Sequence, residues 1–197
     1  MRLLRALPAL TVLLAARVAQ AQATCPVDVY QPNQLAQAGL TISRAAQLAD
    51  SSAAQKPLRD ALKYLADERK FANNMIGAGY LRAQIYILWL HQKDQPDLIT
   101  RERLGDRGVK TEVVDLVAAA DSLLKAVEAL DPSCAAETMQ WRAAKPWTER
   151  INKAYTFLGA DNVDSADVYA KRAAMLYANS PFVHNIFAQI ANKRSDT

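Results

Sequence analysis

Apolar residues recur at steps of three and four positions along most of the chain, which is the spacing of one helix face. The segment 33–49 shows this first, with Leu35, Ala38 and Ile42 on one side. No segment has the sustained alternation of β-branched residues that predicts a strand. The pattern therefore predicts an all-α protein of seven or eight helices. We expect them near 33–49, 54–68, 72–92, 111–130, 133–144, 146–159, 161–178 and 180–193.

Capping residues stand near several of the predicted helix ends. We expect Ser133, then Asp161 or Asp164, and finally Ser180 to cap the helices that follow them. Gly159 stands where a C-cap glycine is expected. The residues between periodic segments are thus consistent with short connections.

The third predicted helix is apolar nearly all round, and its segment 73–92 contains no proline and no acidic residue. Such a helix must be covered by other elements. Ile76, Gly77 and Tyr80 fall on one face of it. A glycine inside a helix costs about 1 kcal/mol relative to alanine. We therefore expect a neighbouring helix to come close to Gly77.

Residues 93–110 interrupt the helical pattern with Pro96, Gly105, Gly108 and charges of both signs. A loop of this length is unusual inside a compact domain, where loops longer than about 15 residues are uncommon. Two interpretations stay open: a solvated insertion and a loop that contacts a partner.

The first residues resemble a secretory signal. Arg2 and Arg5 precede an apolar stretch over 6–16, and Ala19-Gln20-Ala21 has the form of a cleavage site. The stretch is shorter than the roughly 20 residues that cross a bilayer. We expect cleavage after residue 21, or two residues later, although an uncleaved anchor is the alternative. The exported protein would then be one domain over 22–197 with no membrane-spanning segment.

Cleavage would change the charge of the protein. The whole chain has 24 Lys+Arg against 20 Asp+Glu, a balance of +4. Arg2, Arg5 and Arg17 would leave with the signal, so the remainder has 21 basic against 20 acidic side chains. A balance of +1 gives no electrostatic support for nucleic-acid binding.

The chain has two cysteines, Cys25 and Cys134. In an oxidising compartment an even number favours a disulfide, here closing a loop of about 110 residues. Two free buried thiols are the alternative. Neither cysteine belongs to a CxxC pair, so no metal or catalytic role is expected.

Three segments repeat one spacing of small and branched residues. They are Ala54-x3-Leu58-x2-Ala61, Ala120-x3-Leu124-x2-Val127 and Ala166-x3-Ala170-x2-Ala173. Ile76-Gly77-x2-Tyr80 precedes the second segment, and Pro132 follows it twelve residues after Ala120. Together these residues resemble a divergent tetratricopeptide repeat, a family of antiparallel helix pairs that stack into a short α-solenoid. The segments lie 66 and then 46 residues apart, whereas the family repeats at about 34. An irregular helical bundle is the alternative.

Residues with catalytic or metal-binding potential are few. The two histidines, His91 and His184, lie far apart and are expected at the surface or its boundary. Asp115 and Asp121 are interpreted as helix-capping or dipole-stabilising carboxylates. No phosphate loop, nucleophile elbow or HExxH motif occurs. We therefore expect neither an enzyme nor a cofactor or metal.

The resemblance implies a concave groove that binds a protein or peptide. It places Asn74, Ala78, Leu81 and Arg82 in that groove, and packs Ile76, Gly77, Tyr80, Ala120, Leu124 and Pro132 in one unit. Arg150 and Lys153 are expected to add positive charge on the same side. The hypothesis is a scaffold or adaptor of the periplasm or cell envelope, with a partner of unknown identity. The alternative is a carrier whose helices and three tryptophans enclose a small ligand.

Overall fold

The computed structural model describes residues 25–27, 31–49 and 51–195. Nine α-helices and one small two-stranded sheet lie within these residues. The helices are α1 (Asn33–Ala46), α2 (Gln55–Tyr64), α3 (Met75–Leu90), α4 (Arg101–Leu104), α5 (Leu116–Leu130), α6 (Ala135–Arg142), α7 (Lys145–Gly159), α8 (Val163–Leu176) and α9 (Pro181–Ser195). The strands are β1 (Leu98–Thr100) and β2 (Val113–Asp115). The all-α prediction is confirmed, and α4 is the helix that it missed.

The long helices pack as successive pairs. α1 lies on α2, α3 on α5, and α7 on α8, while α9 covers α8. In the second pair Gly79, near the start of α3, faces Val127, near the end of α5, so these helices are antiparallel. α3 also contacts α1 and α2, and α5 contacts α8, so the pairs lie side by side.

Each pair is held together by residues at the repeated helical positions. All nine are buried: Ala54, Leu58, Ala61, Ala120, Leu124, Val127, Ala166, Ala170 and Ala173. The all-apolar helix α3 is covered as predicted, with Ile85, Ile87 and Trp89 fully buried. Small side chains at these positions let the helix axes approach, and the resulting apolar burial stabilises the fold.

The insertion at 93–110, expected as a loop, contains a short strand and a short helix, and whether it contacts a partner stays a prediction. β1 pairs antiparallel with β2, with Leu98 opposite Asp115 and Thr100 opposite Val113. Between the strands lies α4, which ends at Gly105 in the left-handed conformation, φ 74°. The fourth predicted helix consequently begins at Leu116 instead of residue 111, because the preceding residues belong to β2.

The hairpin insertion, defined here as residues 93–115, packs against the main core and is held together by ion pairs within itself. Ile99 and Leu104 are buried in the main core. Arg101 pairs with Asp106 at 2.6 Å and with Glu112 at 2.7 Å. The insertion is therefore an ordered part of the fold, packed by apolar residues and closed by an ion-pair network.

The predicted disulfide joins Cys25 to Cys134, across a sequence separation of 109. Cys134 is fully buried against Tyr80 and Val127. Beside it, the Trp141 indole donates a hydrogen bond to the Tyr80 hydroxyl at 2.9 Å. The disulfide thus attaches the start of the described chain to the α3–α5 pair. The predicted signal, residues 1–21, lies outside the described residues.

Several predicted caps are wrong. Asn162, and not Asp161 or Asp164, caps α8 by accepting a hydrogen bond from the Ser165 backbone N–H. Gly159 is the last helical residue of α7, and Asp161 takes the left-handed conformation instead, φ 61°.

At the fifth predicted helix, Asp131 caps the turn that precedes α6, and the buried Ser133 hydroxyl has no hydrogen-bond partner among the described residues. Ser180 does cap α9, through the Phe182 N–H. Asp115, as predicted, caps α5 through the N–H groups of Val117 and Ala118.

Candidate functional site

An apolar groove lies where the end of α2, the 3₁₀ turn Glu68–Phe71, α3 and α5 meet, and it encloses about 450 Å³. Its apolar lining residues are Leu65, Phe71, Ala72, Met75, Ala78, Gly79, Leu123, Ala126, Val127 and Leu130. Met75 is 59% exposed and Leu130 is 51% exposed, so large apolar side chains of the groove face solvent. The charged residues of the lining are Glu68, Arg69 and Arg82.

Two glycines lie near the start of α3, and Gly77 was predicted to face a neighbouring helix. The residue that does so is Gly79. A Cβ on Gly77 would lie 2.7 Å from the Asn74 Oδ1, within the cap of its own helix. A Cβ on Gly79 would lie 3.2 Å from the Val127 side chain of α5. Gly79 is therefore the residue that permits close contact between α3 and α5.

The four predicted groove residues of α3 have different roles. Ala78 and Arg82 line the apolar groove, because residues four apart share a helix face. Asn74 caps α3 by accepting from the Gly77 N–H at 2.9 Å. Leu81 is 3% exposed and belongs to the core. Of the four residues that the resemblance assigned to a groove, Ala78 and Arg82 therefore line this one, and Asn74 and Leu81 do not.

Arg82 holds one side of the groove in place. Its guanidinium donates to the Leu65 carbonyl at 2.7 Å and pairs with Glu68 at 2.7 Å. The Arg82 side chain is 19% exposed, whereas that of Glu68 is 77% exposed. Because the carbonyl bond is shielded, Arg82 fixes the end of α2 against α3. The exposed Glu68 carboxylate can exchange Arg82 for a partner in solution.

Arg150 and Lys153 lie elsewhere, in a charged cleft of about 1070 Å³ between the hairpin insertion and the α7–α8 pair. Arg150 is 6% exposed, donates to the Pro146 carbonyl at 2.6 Å and pairs with Asp97. Lys153 is exposed and lies over the Tyr169 ring, 5.4 Å from its centroid. The structure therefore separates the four predicted binding residues Asn74, Arg82, Arg150 and Lys153 into two regions. Their role in partner binding stays a prediction.

The charged cleft contains a four-residue network that the sequence analysis missed. Arg172 of α8 pairs with Asp97 at 2.8 Å and with Asp115 at 2.5 Å. Asp97 also accepts from Arg150, so one carboxylate joins two arginines. These partners lie 53 to 75 residues apart in sequence, and helical periodicity carries no signal for such pairs. The network attaches the hairpin insertion to the α7–α8 pair.

Burial alone would raise the pKa of Asp115. The Arg172 guanidinium and the backbone N–H groups of Ala118 and Val117 outweigh this effect and hold the pKa below its usual range. The Asp115 carboxylate is therefore ionised at neutral pH and serves both as helix cap and as ion-pair partner. Asp121, in contrast, is not a cap: it lies within α5 and pairs with Arg142 at 2.8 Å.

The remaining candidate side chains do not converge. Trp89 is buried in the core near Arg59, Trp141 bonds to Tyr80, and Trp147 lies against Tyr177. The three tryptophans thus do not enclose one pocket.

The two histidines are also apart. His91 is half-buried after α3, and His184 is exposed on α9. Across residues 25–27, 31–49 and 51–195, no group of three His, Cys, Asp or Glu side chains is placed to hold a metal ion. Within the same residues no helix has the length and apolarity required to cross a bilayer.

Compared with protein-family models, with curated proteins and with solved structures, the chain has no match. The likeness to tetratricopeptide repeats therefore depends on the residues of this chain alone and stays a prediction. Of the residues that suggested it, Ala120 and Leu124 are buried. Pro132 is exposed and opens the turn after α5.

Proposed function

We propose that this protein is an exported, non-enzymatic adaptor of the periplasm or cell envelope that binds a partner protein in the apolar groove. The supporting observation is the groove itself, with Met75 and Leu130 largely exposed beside a continuous apolar lining. Exposed apolar surface of this kind, rimmed by polar residues, marks interaction sites.

The chemistry of the groove favours an amphipathic helix of the partner. Apolar side chains of such a helix, spaced by three and four residues, enter a groove between two helices and leave its polar face in solvent. Met75 is suited to this task because its flexible thioether side chain adapts to different apolar shapes. Arg69, whose side chain is 90% exposed, can pair with an acidic side chain on the outer face of the partner helix.

Two features support export. The first is the signal-like sequence at 1–21, and the second is the Cys25–Cys134 disulfide, since disulfides persist in oxidising compartments. The tetratricopeptide resemblance adds support for the adaptor role, because the unit that suggested it, α3 with α5, is the helix pair that forms the apolar groove.

Site-specific photo-cross-linking tests the proposal. A photoreactive phenylalanine analogue at position 75 should cross-link a partner in cell-envelope preparations, and the same analogue at position 40 should not. Leu40 is the matched control because it is 62% exposed but lies on α1, away from the apolar groove. Equal cross-linking at both positions, or none at position 75, would contradict the assignment.

The identified partner is then titrated by calorimetry. Leu130→Asp should weaken binding by at least about tenfold, because a carboxylate in an apolar contact lacks a partner. Leu40→Asp should leave the dissociation constant unchanged. Arg82→Glu is a less specific test, since it also removes the bond to the Leu65 carbonyl.

A small-ligand carrier is the second candidate, because about 450 Å³ lies within the roughly 300–1,000 Å³ of small-molecule sites. Native mass spectrometry of the purified protein separates the two functions. A retained small molecule that is lost in Leu130→Asp would favour the carrier, whereas a ligand-free protein that binds its cross-linked partner would favour the adaptor.

A further inference from the structure

A second cleft lies between α7 and the start of α9, on a different part of the molecule from the apolar groove. It encloses about 530 Å³, within the roughly 300–1,000 Å³ of small-molecule sites. Trp147, Tyr155 and Phe182 supply its aromatic side chains, and Ile151 supplies an aliphatic one. We call it the aromatic cleft.

The aromatic cleft presents ring surface to solvent. The Trp147 and Phe182 rings lie 6.3 Å apart in an edge-to-face arrangement. Trp147 is also fixed by Tyr177, at 5.5 Å between ring centroids. Phe182 is 59% exposed although it is a large aromatic residue. The cleft thus has a rigid inner wall and an exposed outer ring.

Among the residues that the structure describes, no acidic or basic side chain lines the aromatic cleft, although 22% of the chain is charged. Its polar lining side chains are the amides of Asn152 and Asn185 and the hydroxyls of Thr148 and Tyr155. A charged ligand would gain no ion pair there and would lose hydration. The lining therefore favours an uncharged ligand.

The amides present donors and acceptors together. Within the described part of the chain, the Asn152 amide and the Thr148 hydroxyl make no side-chain hydrogen bond to the protein. The Asn185 Oδ1 accepts from the Tyr155 hydroxyl at 3.0 Å and from the Gln189 amide at 2.5 Å, so Asn185 offers a ligand its amide N–H groups as donors. Ligand hydroxyl groups, which both donate and accept, match this set.

We propose that the aromatic cleft binds a neutral saccharide. The apolar C–H face of a sugar ring would lie on the Phe182 and Trp147 rings, and its hydroxyls would bond to Asn152, Asn185 and Thr148. Burial of the C–H face against an aromatic ring is favourable, while the amides replace the water lost by the hydroxyls.

A proline-rich peptide also binds aromatic grooves, but the geometry disfavours it. Such a peptide displays backbone carbonyls but has no backbone N–H groups to donate. It would leave the acceptor oxygens of Asn152 and Thr148 unpaired, whereas sugar hydroxyls can donate to them. The donors that usually bind its carbonyls are also missing, because the Trp147 indole nitrogen is buried and the Tyr155 hydroxyl is already directed to the Phe182 carbonyl and Asn185.

Titration of the whole exported protein with defined probes tests the proposal. The probes are maltohexaose, cellohexaose and an N-acetylglucosamine hexamer, with a galacturonic acid hexamer as the charged comparison and decaproline as the peptide comparison. Calorimetry measures binding, and tryptophan fluorescence, to which Trp89, Trp141 and Trp147 all contribute, is a second readout. Circular dichroism checks that each variant is folded.

At least one neutral hexamer should bind, and Phe182→Ala should weaken it by about tenfold or more. Asn152→Ala should weaken it too, whereas Leu40→Ala, an exposed site on α1, should not. The proposal is overturned if no neutral hexamer binds at millimolar concentration, or if Phe182→Ala leaves the affinity unchanged. Tighter binding of the galacturonic acid hexamer or of decaproline than of every neutral hexamer also overturns it.

Discussion

Arg142 connects three helices, and its removal provides a quantitative test of the packing. It lies at the end of α6, and its side chain is 8% exposed. It donates to Asp121 at 2.8 Å and to Glu128 at 2.9 Å, both on α5, and to the Leu176 carbonyl of α8 at 3.2 Å. Burial opposes its charge, but the hydrogen bonds to Glu128 and Asp121 prevail and raise the pKa of Arg142. The arginine is therefore charged at every accessible pH.

Replacement by methionine keeps most of the apolar stem and removes the charge. Taking one partner from a buried ion pair costs about 3–5 kcal/mol. Here Lys125 remains at 2.7 Å from Asp121, and the Glu128 side chain is 29% exposed. After the substitution Asp121 therefore keeps a basic partner, and Glu128 keeps contact with water. We expect Arg142→Met to lower the free energy of unfolding by about 3 kcal/mol. For a domain of this size that corresponds to a melting temperature about 6–12 °C lower.

Urea denaturation and thermal melting followed by circular dichroism measure the effect. Arg142→Lys should lose less stability than Arg142→Met, because lysine keeps the positive charge. It should still be less stable than the wild type, because an ammonium group lacks the planar guanidinium donors that bond Glu128 and Asp121 at the same time. Arg69→Met is the control, since the Arg69 side chain is 90% exposed, and it should change stability little. A loss below about 1 kcal/mol for Arg142→Met would refute the reasoning, because the network would then contribute no more than a surface pair.

Three further changes have defined outcomes. Replacing Cys25 and Cys134 by alanine should lower the free energy of unfolding by up to about 4–5 kcal/mol in urea titrations; an unchanged midpoint would contradict the loop-closure argument. The lowered pKa of Asp115 adds stability at pH values above its unfolded pKa, near 3.9, and this stability is lost as the pH falls through the folded pKa. The difference in unfolding free energy between wild type and Asp115→Asn should therefore be largest at pH 6 and decrease towards pH 3. A difference that does not change with pH would contradict this. Gly105→Ala should lower the free energy of unfolding by about 1–2 kcal/mol, because φ at this position is +74°. Gly159→Ala should raise it by up to about 1 kcal/mol, because Gly159 is helical and a Cβ there would meet open space. Equal melting temperatures for the two variants would contradict this.

Helical periodicity predicted most of the fold because it reports local burial. Leu58, Ala61 and Leu62 lie on one face of α2, and all three are buried. Ala78 and Arg82, four positions apart, likewise lie on one face of α3, at the apolar groove. Residues four positions apart share a helix face whatever the rest of the chain does.

Tertiary pairing is the part that periodicity did not predict. β1 and β2 are three residues each, too short for an alternating pattern to stand out, and they pair across an intervening helix. The burial of Ile99 shows that the insertion is held by non-local contacts with the core. The cap at Asn162 was missed for a related reason, since Asp161, Asn162 and Asp164 have similar capping preference and the tertiary geometry decides among them.

The predicted groove was divided by the structure for the same physical reason. Arg150 carries the charge that suggested a binding role, but it is buried beside Asp97, a residue of the insertion 53 positions earlier. Sequence spacing cannot show that this guanidinium already has a carboxylate partner. Arg82 is also paired, but its partner Glu68 is exposed. The apolar groove beside Arg82 is therefore the region that remains accessible.

α5 is the element on which both the apolar groove and the charged cleft depend. Its cap, Asp115, lines the charged cleft, and Val127 and Leu130 at its other end line the apolar groove. A helix of 15 residues at 1.5 Å per residue separates these ends by about 22 Å. Because α5 packs along α3 and is tied to α8 through Arg172 and Arg142, that separation is fixed. One partner segment that filled both regions would therefore have to span roughly 20 Å, which is about four helical turns, whereas a short amphipathic helix can occupy the apolar groove alone.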